Sequence, residues 1–404
     1  MLKVFLTLWL ALISITGYAE ETDLQQAVND SPQAERLPLQ ELRLFTQVFE
    51  QVRTGYVKDL SDSQLFDSAM QGLLTGLDPH SSYLNQQDYQ QLQEYTSGDY
   101  GGLGMEVIMD KGLIRVVSPI DNSPAAKAGI QAGDFIVEID NKPVRGIILQ
   151  KAIAKLRGKK GSSIRLGILR EGETEVLELS VVRDIIHINS VRSRILEEGF
   201  GYMRISQFQI NSDHEFKAAL SELQADGALQ GLAIDLRNNP GGLMPMSVEI
   251  ADTLIDKGLL VYTEGRLPSA NQQFNATSGD LLNGAPVVVI INGGSASASE
   301  IVAGALQDQG RATILGTQSF GKGSVQTLMP LGDGRAIKLT TARYFTPSGR
   351  SIQGEGIVPD IVVEPTDKDT QTSDTDNQLK AAVDQLKKLN AGNQEPLATL
   401  GQDI

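Results

Sequence analysis

The chain of 404 residues carries a formal charge of −15 and no cysteine, which argues against a nucleic-acid surface and excludes disulfide staples and thiolate chemistry. With 41% hydrophobic residues it can build about two or three domains with ordinary cores. The only histidines are His80, His187 and His214, so a metal site or a serine–histidine mechanism has few residues to draw on.

Lys3 precedes the apolar stretch VFLTLWLALISI, and Gly17 and Ala19 follow at positions that a signal peptidase inspects. The pattern predicts a cleavable secretory signal over residues 1–19, and no later segment is apolar for long enough to span a bilayer. Residues 20–96 read as an N-terminal helical region. Leu42, Phe45, Val48, Phe49 and Val52 share one helical face, and Leu65, Phe66, Ala69, Met70, Leu73 and Leu74 mark a second helix that breaks at Asp78-Pro79. The two are expected to pack together. A polar stretch, NQQDYQQLQEYTSGDY, follows.

Residues 97–184 form the next unit, with strands around the turn Asp110-Lys111-Gly112, a short helix, a strand ending near Asn141-Lys142, a helix that stops at Gly158, and a closing hairpin. Residues 185–365 alternate strands with helices, the rhythm of parallel strands joined by crossovers. Residues 366–404 begin as a polar linker and end in a helix with Leu379, Ala382, Val383, Leu386 and Leu389 on one face. This face and those of the N-terminal helices predict a homodimer or a larger homo-oligomer.

The chemistry gathers at INGGSASASE, residues 291–300, where a β-branched run gives way to a helical pattern. Serines at such a corner either cap the helix or supply a nucleophile. A helix starting near Ser297 offers unpaired N–H groups, that of Ala298 first, to an oxyanion, and NNPGG, residues 238–242, offers a second donor from Gly241 or Gly242. The base is less plain. No GxSxG motif surrounds Ser297, and none of the histidines sits in a recognisable motif. Lys322, between glycines in FGKGSVQ, is either an exposed turn residue or a desolvated lysine able to accept a proton, with Gln326 to orient it.

These residues together, GGSASASEIVAGALQDQGRATILGTQSFGKGSVQ with TARYFTPSGRSIQGEGIVPD behind and GLDPHSSYL ahead, closely resemble the carboxyl-terminal processing peptidases, also called tail-specific proteases, from about Leu39 to Glu364. The resemblance implies Ser297 as nucleophile, Lys322 as base and Gln326 as third member. It also assigns a role to Asp308, whose place at the far end of the helix favours a structural hydrogen bond. Ser295 and Ser299 are left to capping and packing.

It further implies that residues 97–184 are a PDZ domain. Gly102, Leu103, Gly104 and Met105 would hold a peptide's terminal carboxylate, EVI would pair with the peptide, and LQKAIAKL would form the opposite wall. Methionine at the GLGF-type position predicts tolerant apolar selectivity. The expected fold is an α/β and α+β multidomain chain: a mixed α/β protease core over residues 185–365, similar to ClpP and crotonase-like folds, with the PDZ domain inserted. The expected activity is that of a periplasmic serine endopeptidase needing no metal or organic cofactor. Its partners would be unfolded or tail-exposing proteins, cell-wall hydrolases among them, with a lipoprotein adaptor as in some bacterial relatives. The rival readings are a silent or adaptor-dependent PDZ tail-binding protein and a serine–histidine protease.

Overall fold

The computed structural model describes residues 38–173, 175–366 and 376–394, so the expected signal segment at 1–19 and most of the polar linker lie outside the described residues. The chain forms two units divided after Gly72. In the first, helix α1 (Leu39–Gly55) meets the start of helix α2 (Asp62–Thr75) through stacked Phe49 and Phe66, ring centroids 4.5 Å apart, and through Arg53 and Asp62 at 3.0 Å. Leu42, Phe45, Val48 and Val52 of α1 are exposed.

The second unit opens with strand β1 (Ser82–Leu84) and helix α3 (Gln86–Ser97). The polar stretch gave no helical signal, yet both ends of α3 are fixed: Asn85 accepts from the amides of Gln87 and Asp88, and Gly98 closes the helix at φ 74°. Strands β2 (Asp99–Gly102), β3 (Met105–Asp110) and β4 (Leu113–Pro119), helix α4 (Pro124–Lys127), strands β5 (Phe135–Ile139) and β6 (Lys142–Pro143), helix α5 (Leu149–Leu156), and strands β7 (Ser163–Leu169), β8 (Leu177–Val182) and β9 (Asp184–His187) follow. β3 to β8 make one antiparallel sheet around a core that includes Val116, Ile136, Val144 and Ile168. β2 and β9, which enter and leave this domain, pair with each other and put Asp99 opposite His187.

The core follows as β10 (Val191–Glu197), β11 (Phe200–Ile205), α6 (Ser212–Leu223), β12 (Gly231–Asp235), α7 (Met244–Asp252), β13 (Leu259–Gly265), β14 (Gln272–Asn275), β15 (Val287–Ile291), α8 (Ala298–Asp308), β16 (Ala312–Gly316), β17 (Ser324–Gly332), β18 (Arg335–Phe345), β19 (Ile361–Val362) and α9 (Asn377–Gln394). β11, β12, β15, β16 and β19 are parallel neighbours, with β10 antiparallel at the edge. β15 shows why its sequence is apolar without alternation. Val287, Val289 and Ile291 face a core shared with α6, α7 and α8, while Val288 and Ile290 face Leu379, Ala382 and Leu386 of α9. The α9 stripe expected to bind another copy is therefore covered by the chain's own sheet. A second, antiparallel sheet contains β1, β18, β13 and β14 in that order, with β17 also paired to β18. Because β1 precedes β2 and belongs to this core sheet, the PDZ domain is an insertion.

His187 joins the root of the inserted domain to the core. Its Nδ1 lies 2.8 Å from Asp99 Oδ1 and its Nε2 2.7 Å from Glu215 Oε1 on α6. Burial alone would lower the pKa of His187, but the hydrogen bonds to Asp99 and Glu215 outweigh it and raise the value above 6.5. A cation bridging two carboxylates stabilises fully below the unfolded value of about 6.5 and ceases to do so as pH rises through the higher folded value. Denaturation midpoints of wild type and His187→Gln should therefore differ most in mildly acidic buffer and converge toward alkaline pH. Parallel pH curves would show that the bridge carries no charge.

Candidate active site

The nucleophile candidate sits where β15 leaves the sheet and α8 begins. Ser297 is the N-cap of α8 at φ 57°, ψ −115°, a conformation that L-residues avoid and that a surrounding structure must enforce. A sharp, strained strand-to-helix corner thrusts a serine out of the sheet, and the fold pins this one closely. Glu300, wholly buried, accepts from the Ser297 amide at 2.7 Å. Ser295 Oγ donates to the Leu236 carbonyl and Ser299 Oγ to the Asn239 carbonyl, which ties the corner to the neighbouring loop and gives both serines the packing role expected of them.

Glu300 also holds the lysine loop. Its Oε2 accepts from the Lys322 amide at 2.9 Å, the same oxygen that holds Ser297, while Oε1 accepts from the Gly321 amide at 2.7 Å and Ser319 Oγ at 2.6 Å. Ser297 and Lys322 are thereby brought together on one carboxylate oxygen. Burial raises the Glu300 pKa, against the lowering by Ser319 and the amides of Gly321, Ser297 and Lys322. Sequence reasoning passed over this residue, although Ser297-x-x-Glu300 has the spacing of a capping box. Tyr344, fully buried, adds a second tie by donating its hydroxyl to the Lys322 carbonyl.

Both backbone groups of Lys322 are thus occupied, and its side chain lies half-buried. Burial first and Lys338 second push its pKa below 10.5, against the opposing influence of Glu300. Such an amine is more readily neutral, as a general base requires. Gln326 turns its Nε2 to Ser324 Oγ at 2.9 Å, the Ser324 carbonyl at 3.2 Å and Thr340 Oγ1 at 3.4 Å. Asp308 closes α8 about 16 Å from Ser297, at about 1.5 Å per helical residue. There it accepts from the Ser348 amide at 2.9 Å and pairs with Arg350. Burial would raise its pKa, but Ser348, Thr346 and Arg350 hold it low. These partners fit the structural hydrogen bond that its place on the helix favours.

The glycine loop behaves differently from expectation in one respect. Gly241, at φ 103°, packs so closely that a Cβ there would stand 2.8 Å from Ser297 Cβ and 3.0 Å from the Ala298 nitrogen. Its own N–H, however, donates to Asn239 Oδ1 at 2.9 Å. Of the three expected oxyanion donors this leaves Ala298 and Gly242. Gly242, at φ 141°, bridges to Phe208, whose carbonyl a Cβ would meet at 2.1 Å.

In the PDZ domain, Gly102, Leu103, Gly104 and Met105 line a cavity of about 200 Å³ with Ile153 and Leu156 at the α5 side. Gly104 has φ 73°, and its carbonyl accepts from Ser123 Oγ at 2.8 Å. Arg157, absent from the sequence expectations, lines the same cavity, lies 4.7 Å over the Tyr100 ring and reaches Glu94 at 3.2 Å.

A strained serine on a mixed α/β core with an inserted PDZ domain defines a PDZ-bearing serine protease by class. Residues 199–363 match peptidase family S41, residues 115–170 a PDZ domain, and residues 8–88 the activating protease CtpB N-terminal domain. The chain is 50% identical over 327 residues to the carboxy-terminal-processing protease of Bartonella bacilliformis, covering 80% of this chain and 75% of that one. It is 34% identical over 358 residues to the carboxy-terminal processing protease CtpA of Bacillus subtilis, covering 84% and 75%. An S41 protease structure from Bacteroides fragilis shares the fold at a TM-score of 0.53 and 18% identity, over 86% of this chain and 98% of that one. The chain belongs to the carboxy-terminal-processing proteases of peptidase family S41.

Proposed function

We propose that this chain is an exported endopeptidase that captures free C-terminal tails through its PDZ domain and cleaves upstream of them with Ser297 and Lys322. The observation that carries the reading is the shared Glu300 oxygen, which unites a strained serine corner with a desolvated lysine. Lys322 Nζ takes the Ser297 proton as Oγ bonds to the scissile carbonyl carbon. The Ala298 and Gly242 amides are the donors for the oxyanion. Collapse of the tetrahedral adduct breaks the C–N bond, and the leaving amine takes the proton back from Lys322. Lys322 Nζ then takes a proton from water as the water oxygen bonds to the acyl carbon, and passes that proton to Ser297 Oγ as the ester C–O bond breaks. Gln326, held at Ser324 and Thr340, is the third member that the family resemblance assigns. The Gly102–Met105 loop receives the tail's carboxylate.

The leader read over residues 1–19 supports delivery to the periplasm of a Gram-negative cell, where the substrates would be unfolded or tail-exposing proteins such as cell-wall hydrolases. The exposed face of α1 supports self-association, and a lipoprotein adaptor fits the same setting. A second reading, in which cleavage waits for a partner, is favoured by one observation: Asn239 holds the Gly241 amide, one of the two glycine donors expected of this loop.

The test compares an unfolded substrate ending in a free apolar carboxylate with its amidated twin, using wild type and Ser297→Ala. Wild type should cut the free acid faster by about tenfold or more, the effect of losing charge-assisted hydrogen bonds, and Ser297→Ala should cut neither. Equal rates on both substrates would remove tail recognition. Cleavage by Ser297→Ala would remove the nucleophile. Tail binding without cleavage by wild type would move the reading to the partner-dependent form.

A further inference from the structure

The Gln326 amide is oriented by a chain of donors and acceptors that begins outside the β17–β18 hairpin. Its hydrogen bonds are made by Nε2, to Ser324 Oγ at 2.9 Å, the Ser324 carbonyl at 3.2 Å and Thr340 Oγ1 at 3.4 Å. Among the described residues, no donor bonds to Oε1. Thr340 stands opposite Gln326 in the register of the hairpin. Its hydroxyl has one proton, and that proton goes to Asp78 Oδ1 at 3.2 Å. An ionised carboxylate only accepts, so Thr340 Oγ1 is left to accept from Gln326.

Asp78 is itself fixed by the turn before β1. Its Oδ1 takes the amides of His80 at 2.7 Å and Ser81 at 2.9 Å, and its Oδ2 takes Ser81 Oγ at 2.7 Å. The single Ser81 hydroxyl proton belongs to that short bond rather than to Thr340 Oγ1, 3.4 Å away. Ser81 Oγ in turn accepts from the Thr340 amide at 3.1 Å, which ties the turn to β18. Burial would raise the Asp78 pKa, but the bonds from Ser81, the His80 amide and Thr340 hold it low, so it stays an acceptor.

We propose that Thr340 is a positioning residue for the reaction: its hydroxyl, turned by Asp78, holds the Gln326 amide with Nε2 toward the hairpin and leaves Oε1 to accept from the Lys322 amine. The inference rests on the reading above, in which Gln326 is the third member beside Ser297 and Lys322. Ser324 Oγ cannot set this orientation alone, because a hydroxyl donates or accepts as its partner requires. The Ser324 carbonyl works in the same sense as Thr340, and the two N–H groups of the amide give each side a donor. A reversed amide would set Oε1 against the Thr340 lone pairs and present two donors to an amine that needs an acceptor once it holds the Ser297 proton.

The test is a double-mutant cycle on the full chain with a free-tailed peptide substrate. Thr340→Val keeps the β-branched shape and the main-chain bond to Ser81 while removing the hydroxyl. It should lower kcat by about tenfold with KM unchanged, the scale of one lost hydrogen bond. Thr340→Ser keeps the hydroxyl and should stay within about twofold of wild type. In the Gln326→Ala background Thr340→Val should cause no further loss, because the group it positions is gone.

An undiminished loss in the Gln326→Ala background overturns the proposal, as does a wild-type rate in Thr340→Val or a Thr340→Ser rate as low as that of valine. Should Thr340→Val fail to fold, hydrogen exchange of the Gln326 side-chain amide in wild type serves instead. Its signals, assigned by their loss in Gln326→Ala, should exchange about tenfold or more slowly than those of exposed Gln273. Equal exchange overturns the proposal. Wild-type rates in Gln326→Ala would instead remove Gln326 from the parent reading, and the proposal with it. Cleavage that survives Lys322→Ala would refute the base.

Discussion

Lys322→Ala should lower kcat/KM against a free-tailed substrate by about ten-thousandfold or more while leaving the protein folded. Loss of one member of a nucleophile–base pair has effects of roughly that size, because the remaining hydroxyl has nowhere to send its proton. The fold should survive for a local reason: the hydrogen bonds to Glu300 and from Tyr344 are made by the Lys322 main chain and persist in alanine. Wild-type activity should rise with pH and level off below the ordinary lysine value of 10.5, since burial and Lys338 lower the pH at which Lys322 becomes neutral. The competing base is His80, the histidine whose charge state Lys322 influences. Substantial activity in Lys322→Ala, lost again on adding His80→Gln, would transfer the base role to that imidazole. Circular dichroism and the unfolding midpoint of each variant separate lost chemistry from lost structure.

What the sequence disclosed depended on how local each signal was. The run Val287–Ile291 announces a strand buried on both faces, and the small residues after it announce a corner, because burial and helix capping act on adjacent residues. Helix α3 was hidden by its polar composition, since its ends are specified by Asn85 and Gly98 rather than by an apolar stripe. The stripe on α9 was visible, but periodicity tells only that a face is covered. Its cover is the chain's own sheet, where Leu386 is wholly buried. The Gly241 amide was lost to Asn239 through a side-chain orientation that spacing cannot encode. Tyr344 joined the site because β18 folds back along β17 and meets the loop before it, a hairpin whose mixed polarity left no periodic trace.

Glu300 offers the other large effect, and its two replacements should separate structure from electrostatics. Alanine leaves the Ser297, Gly321 and Lys322 amides and Ser319 Oγ without their acceptor. Each buried unsatisfied donor costs about 1–3 kcal/mol, so the total is a large part of a typical net stability of about 5–15 kcal/mol. Glu300→Ala should therefore unfold several kcal/mol more easily, about as far as the corner can bear. Glutamine keeps one acceptor oxygen, and its amide nitrogen meets one backbone N–H rather than two when turned toward Ser319, whose hydroxyl can rotate to accept. That orientation preserves the bonds to Ser297 and Lys322 but sets the new N–H groups against the Gly321 amide. Glu300→Gln should fold and lose about a hundredfold in kcat, the scale of a misplacement near 1 Å. Removing a negative charge that favours the Lys322 ammonium should also move the rising limb of its pH profile to lower pH. Four donors converging on the carboxyl group imply that it is ionised when the enzyme works, despite the upward push of burial. A limb that stays in place in Glu300→Gln would mean that Glu300 already carries its proton, and that Ser297 and Lys322 are held by a neutral acid.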